Sequence, residues 1–203
     1  ITLRSPKKYF ELFLKAEDYT GNEKTVSTIA QLLDGLREDL ARDFHMPWPD
    51  STTIRVLFRA FPVEKGTGKT SAAEAVASKM SAGLDFIEVN RTFLTSGVTQ
   101  ELRGTLAHEL MHILQTRYDP RFLALRRTVG DWASDGNVYL WWNEAVSTYC
   151  ETRYAGGGTP TNAKQNLLEP FEGLKHGDSK EEKQDHGYGM ASLVQYIVDN
   201  YGP

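Results

Sequence analysis

The chain has little cysteine, no long basic run and no long apolar run. Its single cysteine, Cys150, excludes an internal disulfide, and we expect a buried, unreactive thiol there. The net charge of −4 carries no block of lysine and arginine, which argues against nucleic acid or an anionic membrane as the main partner. No apolar stretch approaches the roughly 18–20 residues needed to cross a bilayer, so we expect no membrane span.

The bulk composition is that of an ordinary globular protein. Of 203 residues, 40% are hydrophobic and 25% charged, enough for one domain with a real core. We interpret residues 1–203 as a single domain, with a sheet lobe at 1–116 and a helical lobe at 117–203. Because the chain begins at Ile1, we interpret it as processed or excised. We favour a secreted or cell-envelope location over the cytoplasm, and a monomer.

Hydrophobic periodicity gives the order of elements in the first lobe. Residues 25–44 keep apolar side chains at helical spacing and predict a long amphipathic helix that backs a sheet. Strands are predicted at residues 7–16, 53–61 and 84–89. The order is strand, helix, strand, strand and then a further helix, which indicates an α+β fold with a small mixed sheet.

That further helix, at residues 103–115, contains His108-Glu109-Leu110-Met111-His112. Two histidines four positions apart project from one helix face, so their nitrogens can converge on one Zn²⁺ at roughly 2.0–2.1 Å. Glu109 sits beside that face without ligating and can take a proton from metal-bound water. The competing interpretation is a core helix with two hydrogen-bonded histidines. We favour the metal site and predict a zinc-dependent hydrolase, most simply a peptidase.

A catalytic zinc needs a third protein ligand and one open position. Glu144, in Trp141-Trp142-Asn143-Glu144-Ala145, lies at the start of a second predicted helix, from which a carboxylate can turn toward the first. Its alternative role is an N-terminal helix acid favoured by the macrodipole. The remaining histidines are His45, His176 and His186. Glu144 is the better candidate.

A Gly-rich segment at residues 66–70 looks like a phosphate-binding loop after a strand. Such a loop needs a glycine at the position that Val63 occupies, so that backbone N–H groups can wrap the phosphates. We therefore predict a surface loop here. A nucleotide-binding protein is a weaker hypothesis than a zinc-dependent hydrolase.

The second lobe reads as helices separated by glycine and proline. Residues 118–137 have little regular structure, a helix runs from Asn143 to a Gly-rich break at 155–160, and a short helix covers 162–169. A capping box at Ser179 predicts a brief helical turn. His186-Gly-Tyr-Gly is then interpreted as a Gly-interrupted turn that leads into a last helix ending near Gly202.

Three blocks of this sequence resemble the gluzincin metallopeptidases, the thermolysin-like class, and most of all the bacterial domains grouped as peptidase MA-like. They are residues 106–112, 141–149 and 188–202. The family has a His-Glu-x-x-His helix, a Trp-x-Asn-Glu-Gly/Ala helix, and a later helix that opens with Tyr and a small residue and ends in Tyr-Gly. The resemblance implies a zincin-like fold with a mainly helical C-terminal lobe.

By that resemblance His108, His112 and Glu144 hold one zinc ion, and Glu109 is the general base that activates its water. Residues 84–90 resemble the edge strand along which the family binds an extended peptide, which makes a peptide or protein the expected substrate.

A tetrahedral oxyanion also needs a donor besides the metal, for which we take Tyr188 first and His186 second. Either could instead be a capping or surface residue.

The chain also departs from the family. Thermolysin-like members place an aspartate that orients a histidine one turn after the glutamate ligand, whereas Thr148 stands here, with Glu151 a further turn away. The Gly-x-x-His of metzincins is missing, since Gln115 and Tyr118 occupy those positions. The alternative to a peptidase is a zincin-fold domain that binds a peptide or protein without turnover.

Overall fold

The computed structural model describes residues 1–49, 51, 53–61, 73–76, 86–118, 140–157 and 180–203. The strands are β1 (Thr2–Arg4), β2 (Phe10–Phe13), β3 (Ile54–Arg59), β4 (Ala73–Val76) and β5 (Phe86–Asn90). The helices are α1 (Ala16–Tyr19), α2 (Glu23–Asp43), α3 (Phe93–Ser96), α4 (Gln100–Tyr118), α5 (Leu140–Tyr154) and α6 (Lys180–Tyr201). The α+β class predicted from the sequence is confirmed.

The strands form one mixed sheet in the order β1-β2-β3-β5-β4. The central pairs β2–β3 and β3–β5 are parallel, and the outer pairs β1–β2 and β4–β5 are antiparallel. The parallel step from β2 to β3 is made through α2, as parallel pairing requires a crossover.

Two of these strands were not predicted, and one prediction about the sheet edge was wrong. β1 is only three residues long, and β4 lies in an alanine-rich stretch whose composition does not favour strands. Residues 84–90 were predicted as an edge strand, but β5, which covers Phe86–Asn90 of that segment, lies between β3 and β4. Among the described strands the edge next to it is β4.

The core lies on one face of this sheet. The strand register aligns Leu12, Val56 and Ile87 side by side, and all three are fully buried. The apolar face of α2 covers β2 and also contacts α4, as the prediction of a backing helix required. Burying such a layer is the main favourable term in folding.

Helices α4, α5 and α6 form the second layer, each packed on the next. α5 ends at Tyr154, just before the predicted Gly-rich break, but it begins at Leu140, so Glu144 lies one turn inside it. The prediction of a brief turn and then a Gly-interrupted turn before the last helix was wrong, because α6 is one helix from Lys180 to Tyr201.

The physical reason for Gly187 within α6 is packing. A Cβ on Gly187 would lie 2.5 Å from Glu144 Cβ and 2.6 Å from the Trp141 carbonyl oxygen. Glycine at this position therefore permits close approach of two helices. The sequence pattern alone does not distinguish this use from a turn.

Several predictions fall outside the described residues. They concern the Gly-rich segment at 66–70, the irregular stretch after Tyr118, the short helix at 162–169 and His176. Among the helices that the structure describes, none combines the length and the apolar character needed to cross a membrane.

Candidate metal site

The two histidines of α4 face the same side of that helix. His108 Nε2 and His112 Nε2 lie 3.0 Å apart, with the rings edge to face. The four-residue spacing places them one turn apart, as the sequence predicted. His108 is buried at 8% exposure, whereas His112 is half-buried.

Glu144 on α5 completes a group of three donor atoms. Its Oε2 lies 3.4 Å from His108 Nε2 and 3.4 Å from His112 Nε2. Across the described part of the chain, only these three residues form a cluster of histidine, cysteine or acidic ligands close enough to share a metal ion. The structure thus brings together the three residues that were predicted as metal ligands.

The donor set fits a metal ion in both spacing and chemistry. Metal–ligand bonds of roughly 2.0–2.2 Å at tetrahedral angles separate ligand atoms by about 3.3–3.6 Å. The observed separations of 3.0–3.4 Å are close to that range. Two imidazole nitrogens and one carboxylate oxygen are ligands that suit a borderline divalent cation. Residues His108, His112 and Glu144 could therefore hold a metal.

The pKa values of His108 and Glu144 show how strongly the members of this group interact. Burial by itself lowers the pKa of His108, but the carboxylates of Glu144 and Glu151 outweigh burial and raise that pKa to about 10. Burial likewise raises the pKa of Glu144, but the charges and hydrogen bonds of His112 and His108 outweigh it and hold that pKa well below its usual range. The carboxylates around the two histidines therefore favour a positive charge at this position.

The outer nitrogens of the histidines have partners too. His108 Nδ1 lies 3.2 Å from Glu151 Oε2, an ion-pair contact between α4 and α5. His112 Nδ1 lies 3.2 Å from Ser147 Oγ and 3.3 Å from Gln115 Oε1. Partners at the outer nitrogen fix the orientation and tautomer of a ligating histidine.

Helix α6 approaches the same site from the side of α5. The Gly187 contact puts it against Glu144, and since successive helical residues are 100° apart, His186 and Tyr188 project to either side of that contact. His186 is buried, with its ring 5.5 Å from the Trp141 ring, while Tyr188 is half-buried. Both predicted oxyanion donors therefore lie on the helix that packs on the third ligand.

The remaining candidates are also located. Glu109 is half-buried next to His108, and its charge contributes to the raised pKa of that histidine. His45 is exposed just past the end of α2, outside the cluster. Neither His45 nor His186 belongs to the group of three ligands.

The sequence did not assign Ser147 or Glu151 as partners of the ligating histidines. Glu144, Ser147 and Glu151 are spaced i, i+3 and i+7, one face of a helix, so the pattern was present in the sequence. The spacing does not show which residues of α5 lie opposite His108 and His112 on α4, because tertiary packing decides this register. Gly104 permits that packing, because a Cβ there would lie 2.8 Å from the Glu151 carbonyl oxygen, and it carried no signal of its own.

Comparison of this chain with protein-family models, curated proteins and solved structures finds no match. The interpretation of the site therefore depends on its own geometry and chemistry.

Proposed function

We propose that this protein is a zinc-dependent peptidase of the gluzincin type, with a zincin-like fold. The observation that carries the proposal is the convergence of His108 Nε2, His112 Nε2 and Glu144 Oε2 at 3.0–3.4 Å, beside the half-buried Glu109. Two histidines and one glutamate make one of the recurring ligand sets of catalytic zinc, and three protein ligands leave a position for water.

When bound, zinc acts as a Lewis acid that lowers the pKa of water toward roughly 7 and polarises a carbonyl group. Glu109 would accept the proton of the attacking water and return it to the leaving amine. Its position next to His108 on α4 puts its charge beside the ligands, as its effect on the pKa of His108 indicates. It is also half-buried rather than fully buried, which leaves it reachable from solvent.

The oxyanion that forms on the scissile carbonyl needs a second donor, and α6 offers two. Tyr188 is our first choice because it is half-buried beside the Gly187–Glu144 contact, where substrate could reach its hydroxyl. His186 is the second choice because it is buried against Trp141.

The sheet edge supports a peptide as the substrate. β4 is the outer strand next to β5, and it contacts α4, the helix that carries both histidines. Among the described strands β4 is the outermost, and an edge strand can bind an extended peptide by main-chain hydrogen bonds. A peptide bound there would lie on the strand that contacts the histidine-bearing helix.

Glu109→Gln tests the proposal, with Glu101→Gln as its matched control. Glu101 is an exposed glutamate in the first turn of the same helix, so the control makes the same chemical change away from the ligands. We expect Glu109→Gln to keep its zinc but lose about 10²–10⁴-fold in the rate of cleavage of a peptide library. The control should cleave like the wild type.

Unchanged cleavage by Glu109→Gln would remove Glu109 as the base. If the wild-type protein with zinc bound retained peptides without cleaving them, the non-catalytic binding domain would replace the peptidase.

A further inference from the structure

We infer that Glu151 is the positioning residue of His108, and that Gly104 allows it to reach that histidine. The inference rests on the proposed function, because it concerns how the same metal site is held. It assigns this role to a residue two turns beyond Glu144, whereas Thr148 occupies the position where the resembling family carries an orienting aspartate.

Both nitrogens of the His108 ring face a carboxylate. Its Nε2 lies 3.4 Å from Glu144 Oε2 within the ligand group, and its Nδ1 lies 3.2 Å from Glu151 Oε2. The ring itself is buried at 8% exposure. The Nδ1–Oε2 contact has the distance of an ion pair but not the geometry of a hydrogen bond. Glu151 therefore acts on the buried ring through its charge, which favours the orientation that keeps Nε2 toward the other two ligands.

The two histidines differ in the charge of these partners. His112 Nδ1 meets a hydroxyl and an amide oxygen, those of Ser147 and Gln115, and both groups are neutral. A carboxylate at Nδ1 keeps the proton on that nitrogen and makes Nε2 a better donor to a metal. Of the two histidines, His108 is therefore the one that a charged neighbour orients.

Thr148 does not take this role. It is buried at 2% exposure, and its Oγ1 makes no hydrogen bond to the residues that the structure describes. A hydroxyl also carries no charge to raise the basicity of an imidazole. Glu151 lies on the same face of α5 one turn further, where its longer side chain meets His108.

Gly104 explains why Glu151 can lie so close to α4. It precedes His108 by one turn, and a Cβ there would lie 2.8 Å from the Glu151 carbonyl oxygen, 2.9 Å from Ala155 Cβ and 3.2 Å from Glu151 Cγ. Two of these distances are shorter than real Cβ contacts. A side chain at position 104 would therefore push away the end of α5 that carries Glu151.

The test measures zinc affinity by competition with a chelator, and the visible absorption spectrum of the Co²⁺-substituted protein. Glu151→Ala should weaken zinc binding about 10–100-fold and change the cobalt bands, because His108 is no longer oriented. Glu151→Gln should fall between this variant and the wild type, since a neutral oxygen remains. The control is Glu17→Ala, which removes an exposed glutamate of α1 that pairs with Lys15. Because α1 carries none of the proposed ligands, this variant should bind zinc like the wild type.

Gly104→Ala should weaken zinc binding in the same direction as Glu151→Ala. Its matched control is Gly35→Ala, because Gly35 also lies inside a helix but a Cβ there meets nothing within 4 Å. Adding the Glu151→Ala change to Gly104→Ala should cause little further loss, if the glycine acts through that glutamate.

Wild-type affinity and unchanged cobalt bands in both Glu151 variants would overturn the inference. If Glu151→Ala loses thermal stability but keeps the affinity and the cobalt spectrum, Glu151 is merely structural, which also overturns it. A wild-type protein that binds no zinc would overturn the inference together with the proposed function. Zinc binding that depends on Glu151, in a protein that cleaves no peptide, would support the inference and refute the peptidase alone.

Discussion

The contact between α6 and α5 at Gly187 gives a prediction whose size follows from the structure. In Gly187→Ala the new methyl group would lie 2.5 Å from Glu144 Cβ and 2.6 Å from the Trp141 carbonyl oxygen. Carbon atoms in contact prefer about 3.5–4.0 Å, so α6 must move away by about 1 Å. Such overpacking costs about 1–3 kcal/mol, against about 1 kcal/mol gained from the better helix propensity of alanine.

Gly35→Ala isolates the propensity term. Gly35 lies in α2 with open space around it, so its replacement should gain about 1 kcal/mol without overpacking. The two variants should therefore differ by about 1–3 kcal/mol in the free energy of unfolding, measured in urea. For a chain of this size the difference corresponds to about 2–4 °C in Tm per kcal/mol. Equal stabilisation by both substitutions would refute the close packing of α6 on α5.

Two further predictions concern titration and reactivity. The pKa of His108 is raised to about 10 in the folded chain, so its charged form stabilises the fold. This contribution is fully present below about pH 6.5 and is lost as the pH rises through about 10. Because a ligating histidine must be neutral, zinc affinity should rise about tenfold per pH unit between about pH 6 and 8 in calorimetric titrations, and a flat profile would contradict the coupling. Burial of Cys150 raises the pKa of its thiol well above the usual value, so a disulfide reagent should label it only after unfolding. Rapid labelling of the native protein would show that the thiol is exposed.

What the sequence predicted well depends on short-range spacing. The apolar repeat of α2 and the four-residue spacing of His108 and His112 each describe one face of one helix, and both were found as predicted. β3 and β5 contain several β-branched and aromatic residues, and they too appear within a few residues of their predicted bounds. In each case the local pattern and the packing agree.

What the sequence did not predict depends on contacts between distant segments. Strand β4 is a four-residue piece of an alanine-rich stretch, which pairing with β5 makes extended. From the sequence alone Gly187 indicates a turn, and only its contact with Glu144 shows that it serves helix packing. Glu151 is one acidic residue among many until α4 and α5 are set in register. The pattern of residues within one segment does not determine these contacts, because they depend on segments that are distant in the sequence.

The most direct test of the central claim is the zinc content of the purified protein after dialysis against excess zinc and then against buffer, beside His112→Ala and Glu144→Ala. If His108, His112 and Glu144 converge on one ion, the wild-type chain should retain about one zinc, and each variant far less. A wild-type chain that keeps no zinc, or variants that keep as much as the wild type, would contradict the account.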